Sequence, residues 1–373
     1  MPYKDVTEEQ FKTNPYAALV EGQTIIEIPE YHLECGETLY NFPVAYKTWG
    51  KLNEEGTNTL LITHALSGSA AIDSWWGELL GKDKAFDPSK YFIICINFLG
   101  SPYGSCSPVT IDKSTGKRYG PTFPLVTFKD DVGIQRLLLD SLGVKLLAAI
   151  IGGSMGGMLA LEYLVTYNNT GYVKKVVALA TAARTSAWCI SWNEAQRQCI
   201  FSDGKYNGGY YYDFDDKPLA GLAAARMAAL LTYRSGSSFD TRFGRKMGGP
   251  NGKDEELFSA QSYLRYNGSK FVDRFDTNCY VVISRKMDCH DLSRGFEHDG
   301  TNDPLVTVLQ GLTTPTLVVG IESDQLFPLA DSKLLADNLP SSLLKVLNSE
   351  EGHDAFLLEF EKINSYIVNF LNE

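Results

Sequence analysis

The sequence predicts an α/β fold built on a mostly parallel sheet, and two observations lead to that prediction. First, short apolar runs typical of buried strands alternate with helical patterns along the first half of the chain. Second, the same kind of run returns near the other end, at Thr316–Ile321 and Leu343–Leu347. Strands that alternate with helices form βαβ units, in which the strands run parallel and helices flank the sheet.

The strand candidates of the first half are β-branched and mostly apolar, as a sheet buried on both faces requires. They are Thr59–Thr63 (TLLIT), Tyr91–Asn97 (YFIICIN), Leu146–Ile151 (LLAAII) and the more polar Val173–Leu179 (VKKVVAL). Between them, Asp130–Leu142 carries apolar residues at helical spacing, and its two leading aspartates favour a helix start. A long amphipathic helix is predicted near the end, over Ala355–Leu371.

The middle of the chain has a different character. From about Ala183 to Leu309 it is aromatic and polar, and its patterns are helical, especially over Leu219–Tyr233. One short strand candidate lies there, at Tyr280–Ile283. We interpret residues 183–307 as a mainly helical cap, or lid, inserted into a core domain made of residues 1–182 and 308–373.

Composition argues against several classes of function. The 373 residues carry a net charge of -11 and a pI near 5.1, which disfavours nucleic acid or an anionic membrane surface as a partner. No apolar run approaches the about 18 residues of a membrane span, and no secretory signal is recognisable. The seven cysteines form no C-x-x-C pair, which disfavours a zinc site and a disulfide framework. A cytosolic, reducing setting is expected.

The strongest chemical signal is Gly152–Gly157 (GGSMGG), which directly follows the LLAAII strand candidate and precedes a helical segment. G-x-S-x-G between a strand and a helix is the nucleophile elbow of the α/β-hydrolase fold. The turn strains the serine backbone, so the residues two positions away must be tiny, and Gly152 and Gly156 meet that need. Ser154 is therefore the candidate nucleophile, and the Met155 amide is a candidate oxyanion-hole donor. A phosphate loop would need G-K-[ST], which is missing.

In this fold the acid and then the histidine follow the nucleophile along the chain. Of the five histidines, His353 alone follows the late strand candidates, and Gly352 allows a sharp loop to aim its ring at the serine. His290 and His298 lie in the predicted cap, where solvated surface histidines are expected. His353 is therefore the candidate base.

The acid should come just after the strand candidate TLVVGI, where the sequence reads Glu322-Ser323-Asp324. Asp324 is favoured because SDQLFP carries it into a loop, and Glu322 is the alternative. The acid would fix the imidazole tautomer and stabilise the imidazolium.

A second oxyanion donor is expected in the loop HALSG, which follows TLLIT much as the HGGG loop of esterases follows its strand. The Leu66 amide is the candidate. His64 at the start of this loop is expected to orient it and not to act as the base.

Longer segments of the chain are recognisable as a set: HALSGSA, NFLGSPYGSCSP, GGSMGGMLALEY, SAWCISWNEAQRQCI, GLAAARMAALLTYRS and GHDAFLLEF. Together they resemble the homoserine O-acetyltransferases of fungal type, which make O-acetyl-L-homoserine from acetyl-CoA and L-homoserine in methionine biosynthesis. The resemblance covers nearly the whole chain. It implies the triad of Ser154, Asp324 and His353, and it assigns three more residues to the amino-acid substrate: Arg226, Tyr233 and Asp354.

Chemistry is consistent with this assignment, because an amino acid needs a cation for its carboxylate and an anion for its ammonium group. The alternative for Arg226 is an ion pair on a helix surface. For Asp354 it is an N-cap of the final helix.

The resemblance implies a ping-pong acyltransferase, often a cytoplasmic homodimer, with acetyl-CoA as co-substrate and no cofactor or metal. Neither nucleic acid nor membrane is expected as a partner. Several alternatives stay open: a succinyl donor, a serine or deacetylcephalosporin C acceptor, an esterase of the same fold, and a non-catalytic hydrolase-fold binding protein. An intact triad disfavours the last of these.

Overall fold

The computed structural model describes residues 3–248, 258–296 and 303–373. Its strands, in chain order, are β1 (Lys4–Asp5), β2 (Thr24–His32), β3 (Thr38–Trp49), β4 (Thr59–Thr63), β5 (Phe92–Ile96), β6 (Ile111–Asp112), β7 (Lys117–Arg118), β8 (Leu147–Gly153), β9 (Val176–Leu179), β10 (Thr316–Ile321) and β11 (Ser342–Leu347). The main sheet has the order β1-β2-β3-β5-β4-β8-β9-β10-β11, and β6 pairs with β7 separately. From β5 to β11 the pairing is parallel, whereas β1, β2 and β3 are antiparallel. The predicted mostly parallel sheet is confirmed.

Helices cover the sheet and fill the middle of the chain. They are α1 (Thr7–Thr13), α2 (Ile72–Trp75), α3 (Phe128–Ser141), α4 (Met155–Thr166), α5 (Ala187–Phe201), α6 (Leu219–Tyr233), α7 (Gly236–Arg242), α8 (Ser259–Val272), α9 (Thr277–Asp288), α10 (Pro304–Gln310), α11 (Leu329–Asn338) and α12 (Phe360–Asn372). Within the described ranges, no helix combines the length and the apolar character needed to cross a bilayer.

The sheet is buried on both faces, which is why its strands read as continuous apolar runs. All five residues of β4 are buried. Because side chains alternate along a strand, Leu61 joins one hydrophobic cluster while Leu60 and Ile62 join another on the opposite face. The two clusters hold the strands in place, and the carboxyl ends of the parallel strands therefore form a firm edge.

The sequence missed the antiparallel strands β2 and β3. Both contain a proline, Pro29 and Pro43, and both include exposed residues besides their buried ones. A proline weakens a strand pattern, and half-exposed strands lack the continuous apolar run of a buried one. These two strands extend the sheet on the side away from β8.

The strand prediction at Tyr280–Ile283 is wrong, because these residues lie in α9. The side chain of Asp276 accepts a hydrogen bond from the Cys279 amide and caps the helix. Tyr280, Ile283 and Met287 then recur at helical spacing and are buried. Of the β-branched residues that favoured a strand, Val281 and Ile283 are buried in this helix and Val282 is partly buried.

The predicted helix Ala355–Leu371 is interrupted in the structure. Gly352–Leu357 forms a 3-10 helix, and α12 begins at Phe360. Leu358 between them has non-helical dihedral angles. The break separates the loop that carries His353 from the amphipathic helix that packs on the sheet.

Between β9 and β10, the described residues outside loops are helical, from α5 to α10. This segment is joined to the core by a buried ion pair between Lys286 on α9 and Asp131 on α3. Lys286 also donates to the Leu99 carbonyl at 2.8 Å. The boundaries 1–182, 183–307 and 308–373 stay a prediction, but this helical segment lies where the cap was expected.

Candidate active site

Four loops meet at one edge of the sheet, because they follow four parallel strands. They come after β4, β8, β10 and β11, and ligand sites of open parallel sheets form at this carboxyl edge. The loops hold the residues that the sequence singled out: Leu66, Ser154, Asp324 and His353.

Ser154 occupies a strained backbone conformation between β8 and α4, with φ 58° and ψ −126°. Such a conformation costs about 1–3 kcal/mol and needs support from its surroundings. A Cβ on Gly152 would lie 2.1 Å from Oγ1 of Thr63, and one on Gly156 would lie 2.1 Å from the Thr63 carbonyl oxygen. The Ser154 amide donates to the Leu179 carbonyl at 2.9 Å. The two glycines therefore let β8 and α4 pack against β4 around the serine.

Ser154, His353 and Asp324 form a continuous hydrogen-bonded chain. Nε2 of His353 lies 2.8 Å from Oγ of Ser154, and Nδ1 lies 2.7 Å from Oδ2 of Asp324. The other oxygen of Asp324 accepts from the backbone amides of Leu326 and Phe327, at 2.8 and 2.9 Å. The side chains of Ser154, His353 and Asp324 are all buried. This geometry allows the serine to lose its proton to the imidazole.

Glu322, the alternative acid, is exposed and makes no hydrogen bond or ion pair with His353.

Burial alone would lower the pKa of His353, but the charge and hydrogen bond of Asp324 outweigh the effect of burial, and the charge of Asp354 also raises the pKa. The pKa of His353 is therefore raised above its usual value near 6.5. A base of this kind is neutral, and able to take the serine proton, above that raised pKa.

His64 and His290 are both buried, and burial lowers the pKa of each to about 4. Nε2 of His64 accepts from the Phe98 amide at 3.2 Å, so its Nδ1–H donates to the Ala65 carbonyl at 2.8 Å. These contacts fit an orienting role for His64.

The prediction that His290 is a surface histidine is wrong, because the ring is buried and its Nε2 makes a hydrogen bond with the Ala182 carbonyl at 2.9 Å. His298 lies outside the described residues.

The two candidate oxyanion donors have free amides. Met155 is the first residue of α4, where a helix leaves its N–H groups unpaired. Leu66 lies in a turn closed by the bond from the Gly68 amide to the Ala65 carbonyl, 2.9 Å long. Within the described part of the chain, neither amide donates to a protein acceptor. Both can therefore donate to an oxygen placed beside Ser154.

Ser154 and His353 open into a cavity of about 160 Å³ between the core loops and the helical segment. Leu66 and Asp354 line it from the core, and Asn193, Gln196, Arg226, Tyr233 and Met287 line it from the helices. The three residues that the resemblance assigns to an amino acid thus share one cavity with the candidate nucleophile.

Arg226 lies on α6 and makes none of the ion pairs found among the described residues, so the surface ion pair considered above is not present there. Its guanidinium carbon lies 5.4 Å from the centre of the Tyr233 ring and 4.8 Å from that of Phe271. One guanidinium nitrogen is buried and has no hydrogen-bond partner within the described residues. A buried donor without a partner is costly, so Arg226 is suited to an anionic ligand group in the cavity.

Asp354 does not cap the final helix, because the N-cap position of α12 is Glu359. It lies in the 3-10 helix after His353, and its Oδ2 lies 3.0 Å from Nε of Arg234. Burial raises the pKa of Asp354, and the charges of Arg234, His353 and Arg226 oppose that rise. A carboxylate in this place can bind a cationic group.

Sequence reasoning assigned no role to Asn193 and Gln196, although both line the cavity. Asn193 donates to Oδ1 of Asp288 at 2.8 Å, and Oε1 of Gln196 accepts from the Tyr280 hydroxyl at 2.6 Å. Both lie in SAWCISWNEAQRQCI, a segment that carried the resemblance. Helical spacing from Asn193 to Gln196 was the one available signal, because two amides on a helix have no distinctive chemistry.

Three aromatic rings surround the imidazole of His353. The ring centres of Phe356, Phe327 and Tyr233 lie 5.3, 5.4 and 6.1 Å from that of His353. They cover the imidazole, which is buried, and contacts between charges are stronger where solvent is limited.

Comparisons with known proteins agree with this geometry. The family model of the alpha/beta hydrolase fold matches residues 58–360. A homoserine O-acetyltransferase of Saccharomyces pastorianus is 47% identical over 440 aligned positions, covering 98% of this chain and 89% of that protein. The crystal structure of homoserine O-acetyltransferase from Bacillus anthracis has a TM-score of 0.84 at 24% identity, covering 94% of this chain and 97% of that one, which shows the shared fold. The crystal structure of esterase E22 has a TM-score of 0.82 at 26% identity, and the match covers 94% of this chain and 99% of the esterase chain.

The geometry predicts that substitutions of the two candidate acids, Asp324 and Glu322, differ greatly in their effect on kcat. Asp324→Asn should lower kcat for an activated ester such as p-nitrophenyl acetate by ~10⁴, because the imidazole loses the partner that fixes its tautomer. Glu322→Gln should stay close to wild type, since Glu322 does not contact His353. Circular dichroism would verify that both variants fold. The reverse ranking would assign the role to Glu322.

Proposed function

The chain belongs to the homoserine O-acetyltransferase family of the α/β-hydrolase fold, and we propose that it transfers an acetyl group from acetyl-CoA to the hydroxyl of L-homoserine. One observation carries the proposal. Ser154 and His353, which are hydrogen-bonded to each other and through His353 to Asp324, open into a cavity that also presents a carboxylate and a guanidinium with no ion-pair partner among the described residues. A nucleophile next to two opposite charges suits acyl transfer to an amino acid.

The first half-reaction forms an acetyl-serine. His353 takes the proton of Ser154 as Oγ attacks the thioester carbon, and the Leu66 and Met155 amides hold the oxyanion. The carbon–sulfur bond then breaks, and the imidazolium returns its proton to the departing sulfur. CoA leaves as the thiol, and the acetyl group stays on the serine.

The second half-reaction uses the same groups in the opposite order. Arg226 binds the carboxylate of homoserine, Asp354 binds its ammonium group, and Tyr233 borders both. His353 takes the proton of the substrate hydroxyl as its oxygen attacks the acetyl carbon, and then gives a proton to Oγ of Ser154. O-acetyl-L-homoserine leaves, and the enzyme is restored.

Transfer, as opposed to hydrolysis, needs an acceptor held in near-attack geometry and water kept away. The aromatic rings around His353 and the small cavity support both conditions. An esterase is the second candidate, and the likeness to esterase E22 favours it. A homodimer and a cytoplasmic location, which the resemblance implies, stay predictions.

A thiol-release assay across donors and acceptors tests the proposed function. Acetyl-CoA with L-homoserine should release CoA continuously, whereas L-serine, deacetylcephalosporin C and water alone should support much slower release. Succinyl-CoA should be a poor donor. Turnover that is equally fast without any acceptor would indicate an esterase. Faster turnover with another acceptor or donor would overturn the assignment of the substrate.

The two halves of the reaction should respond differently to the charged residues of the cavity. In Arg226→Ala, the first burst of CoA should keep its amplitude, because Arg226 does not take part in acylation. The acceptor loses a charge-assisted contact of roughly 1.5–3 kcal/mol, which lowers kcat/KM for homoserine by roughly one to two decades. Stopped-flow thiol release with a homoserine titration measures both quantities.

Arg265→Ala is the matched control, because Arg265 is an exposed arginine on the neighbouring helix α8 and does not line the cavity. It should behave as wild type in both phases. Loss of the CoA burst in Arg226→Ala, or an unchanged kcat/KM for homoserine, would contradict the division of roles proposed here.

A further inference from the structure

Arg234–Ser238, which comprises the junction of α6 and α7 and the first three residues of α7, lies directly against the loop that carries His353. Ser235 donates a hydrogen bond to the carbonyl of Glu350, and Ser238 donates to Oε2 of Glu351 at 3.1 Å. We call Arg234–Ser238 the corner segment. It connects the helix that bears Arg226 and Tyr233 to the loop that bears the candidate base.

Arg234 contacts acidic residues on both sides of His353. Its Nη1 forms an ion pair with Glu351, two residues before the histidine. Its Nε lies 3.0 Å from Oδ2 of Asp354, directly after the histidine. The side chains of Arg234 and Asp354 are 15% and 20% exposed, so water screens this pair less than it screens a surface pair, whereas the Glu351 side chain is 40% exposed. A planar guanidinium can pair with two carboxylates at once through its separate N–H groups, whereas a lysine ammonium is a single point charge and is less suited to this.

The backbones of the two segments also touch. Gly352 has a φ of +67°, and a Cβ at this position would lie 2.6 Å from the Ser235 nitrogen. Glycine is therefore needed both for the conformation of the loop and for its close approach to the corner segment. The position of His353 thus depends on a surface that the helical segment supplies.

We propose that Arg234 is a positioning residue for the reaction, holding His353 in place through Glu351 and presenting Asp354 to the acceptor. The Asp354 carboxylate thus has two proposed roles, an ion pair with Arg234 and binding of the acceptor's ammonium group. Oδ2 forms the ion pair with Arg234, neither carboxylate oxygen makes a hydrogen bond within the described residues, and Asp354 lines the cavity. The part that concerns the acceptor rests on the proposed function, whereas the positioning of His353 applies to any acyl donor.

The charges around Asp354 are consistent with these two roles. Burial raises its pKa, and Arg234 is the largest of the influences that lower it, ahead of His353 and Arg226. Arg234 therefore favours the anionic form that an ammonium group requires. Arg226 remains available for the carboxylate of the acceptor.

The test measures acylation by p-nitrophenyl acetate in a stopped-flow burst, which needs neither acetyl-CoA nor homoserine. In Arg234→Met the saturating acylation rate constant should fall by about 10²-fold, since small misplacements of a catalytic group cost that much. The half-saturating ester concentration should stay near wild type, because the ester does not contact Arg234. Arg234→Lys keeps the charge and should recover part of the rate, to within about tenfold of wild type.

Arg242→Met is the matched control. Arg242 ends α7, eight residues further along, and lies over the rings of Phe243 and Tyr263, at 5.2 and 5.0 Å, without contacting the His353 loop. It should acylate at the wild-type rate. An effect on protein folding alone would lower the burst amplitude and the melting temperature but leave the rate constant of the folded fraction unchanged.

Acylation by Arg234→Met within twofold of wild type would overturn the proposal, and so would equal losses in Arg234→Met and Arg242→Met. If Arg234→Met does not fold, Arg234→Lys decides: a reduced rate constant at unchanged half-saturation supports the proposal, and a wild-type rate constant overturns it. If wild-type enzyme acylates with the ester but does not transfer acetyl from acetyl-CoA to homoserine, the proposed function fails and the positioning role remains measurable.

Discussion

The site depends on the backbone of Ser154. A serine held at φ 58° is strained, and the strain is supported by the packing of β8 and α4 against β4, which two glycines permit. The same turn brings Oγ to 2.8 Å from Nε2 of His353 and leaves the first amide of α4 unpaired beside the serine. A Cβ at Gly152 or Gly156 would collide with the Thr63 strand end, so the nucleophile, the oxyanion donor and the sheet are coupled through one turn.

The helical segment contributes charge to a site that the core alone could not complete. The core loops supply a nucleophile, a base and an acid, which suffice for attack on an ester. Recognition of an amino acid needs in addition a cation and an anion in one small cavity; α6 brings Arg226 there, and Arg234, directly after α6, pairs with Asp354. In the proposed mechanism, α6 therefore binds the acceptor through Arg226 and leads directly into Arg234, which contacts the loop of His353. A common scaffold can serve both esterases and acyltransferases, because the activity depends on the side chains of the site and not on the fold.

The sequence predicted those features that depend on local patterns. β4 and β10 were predicted with their observed bounds because they are wholly buried, and Ser154 was identified because the elbow is a local motif. The sequence favoured Asp324 over Glu322 because of the loop that follows it, and the structure places the Asp324 carboxylate, not that of Glu322, on His353. His290 was misjudged because the burial of a polar ring depends on a distant partner, the Ala182 carbonyl. The contacts of Arg234 join residues more than a hundred positions apart, so no local pattern could reveal them.

The central claim is that Ser154 carries the acetyl group between donor and acceptor. Mass spectrometry of peptides after brief mixing with acetyl-CoA alone tests it most directly. We expect one added acetyl group on the peptide that contains Ser154, its disappearance when homoserine is added, and its absence in Ser154→Ala. An acetyl group on another residue, or none in an enzyme that still turns over with both substrates, would show that Ser154 is not the acetyl carrier.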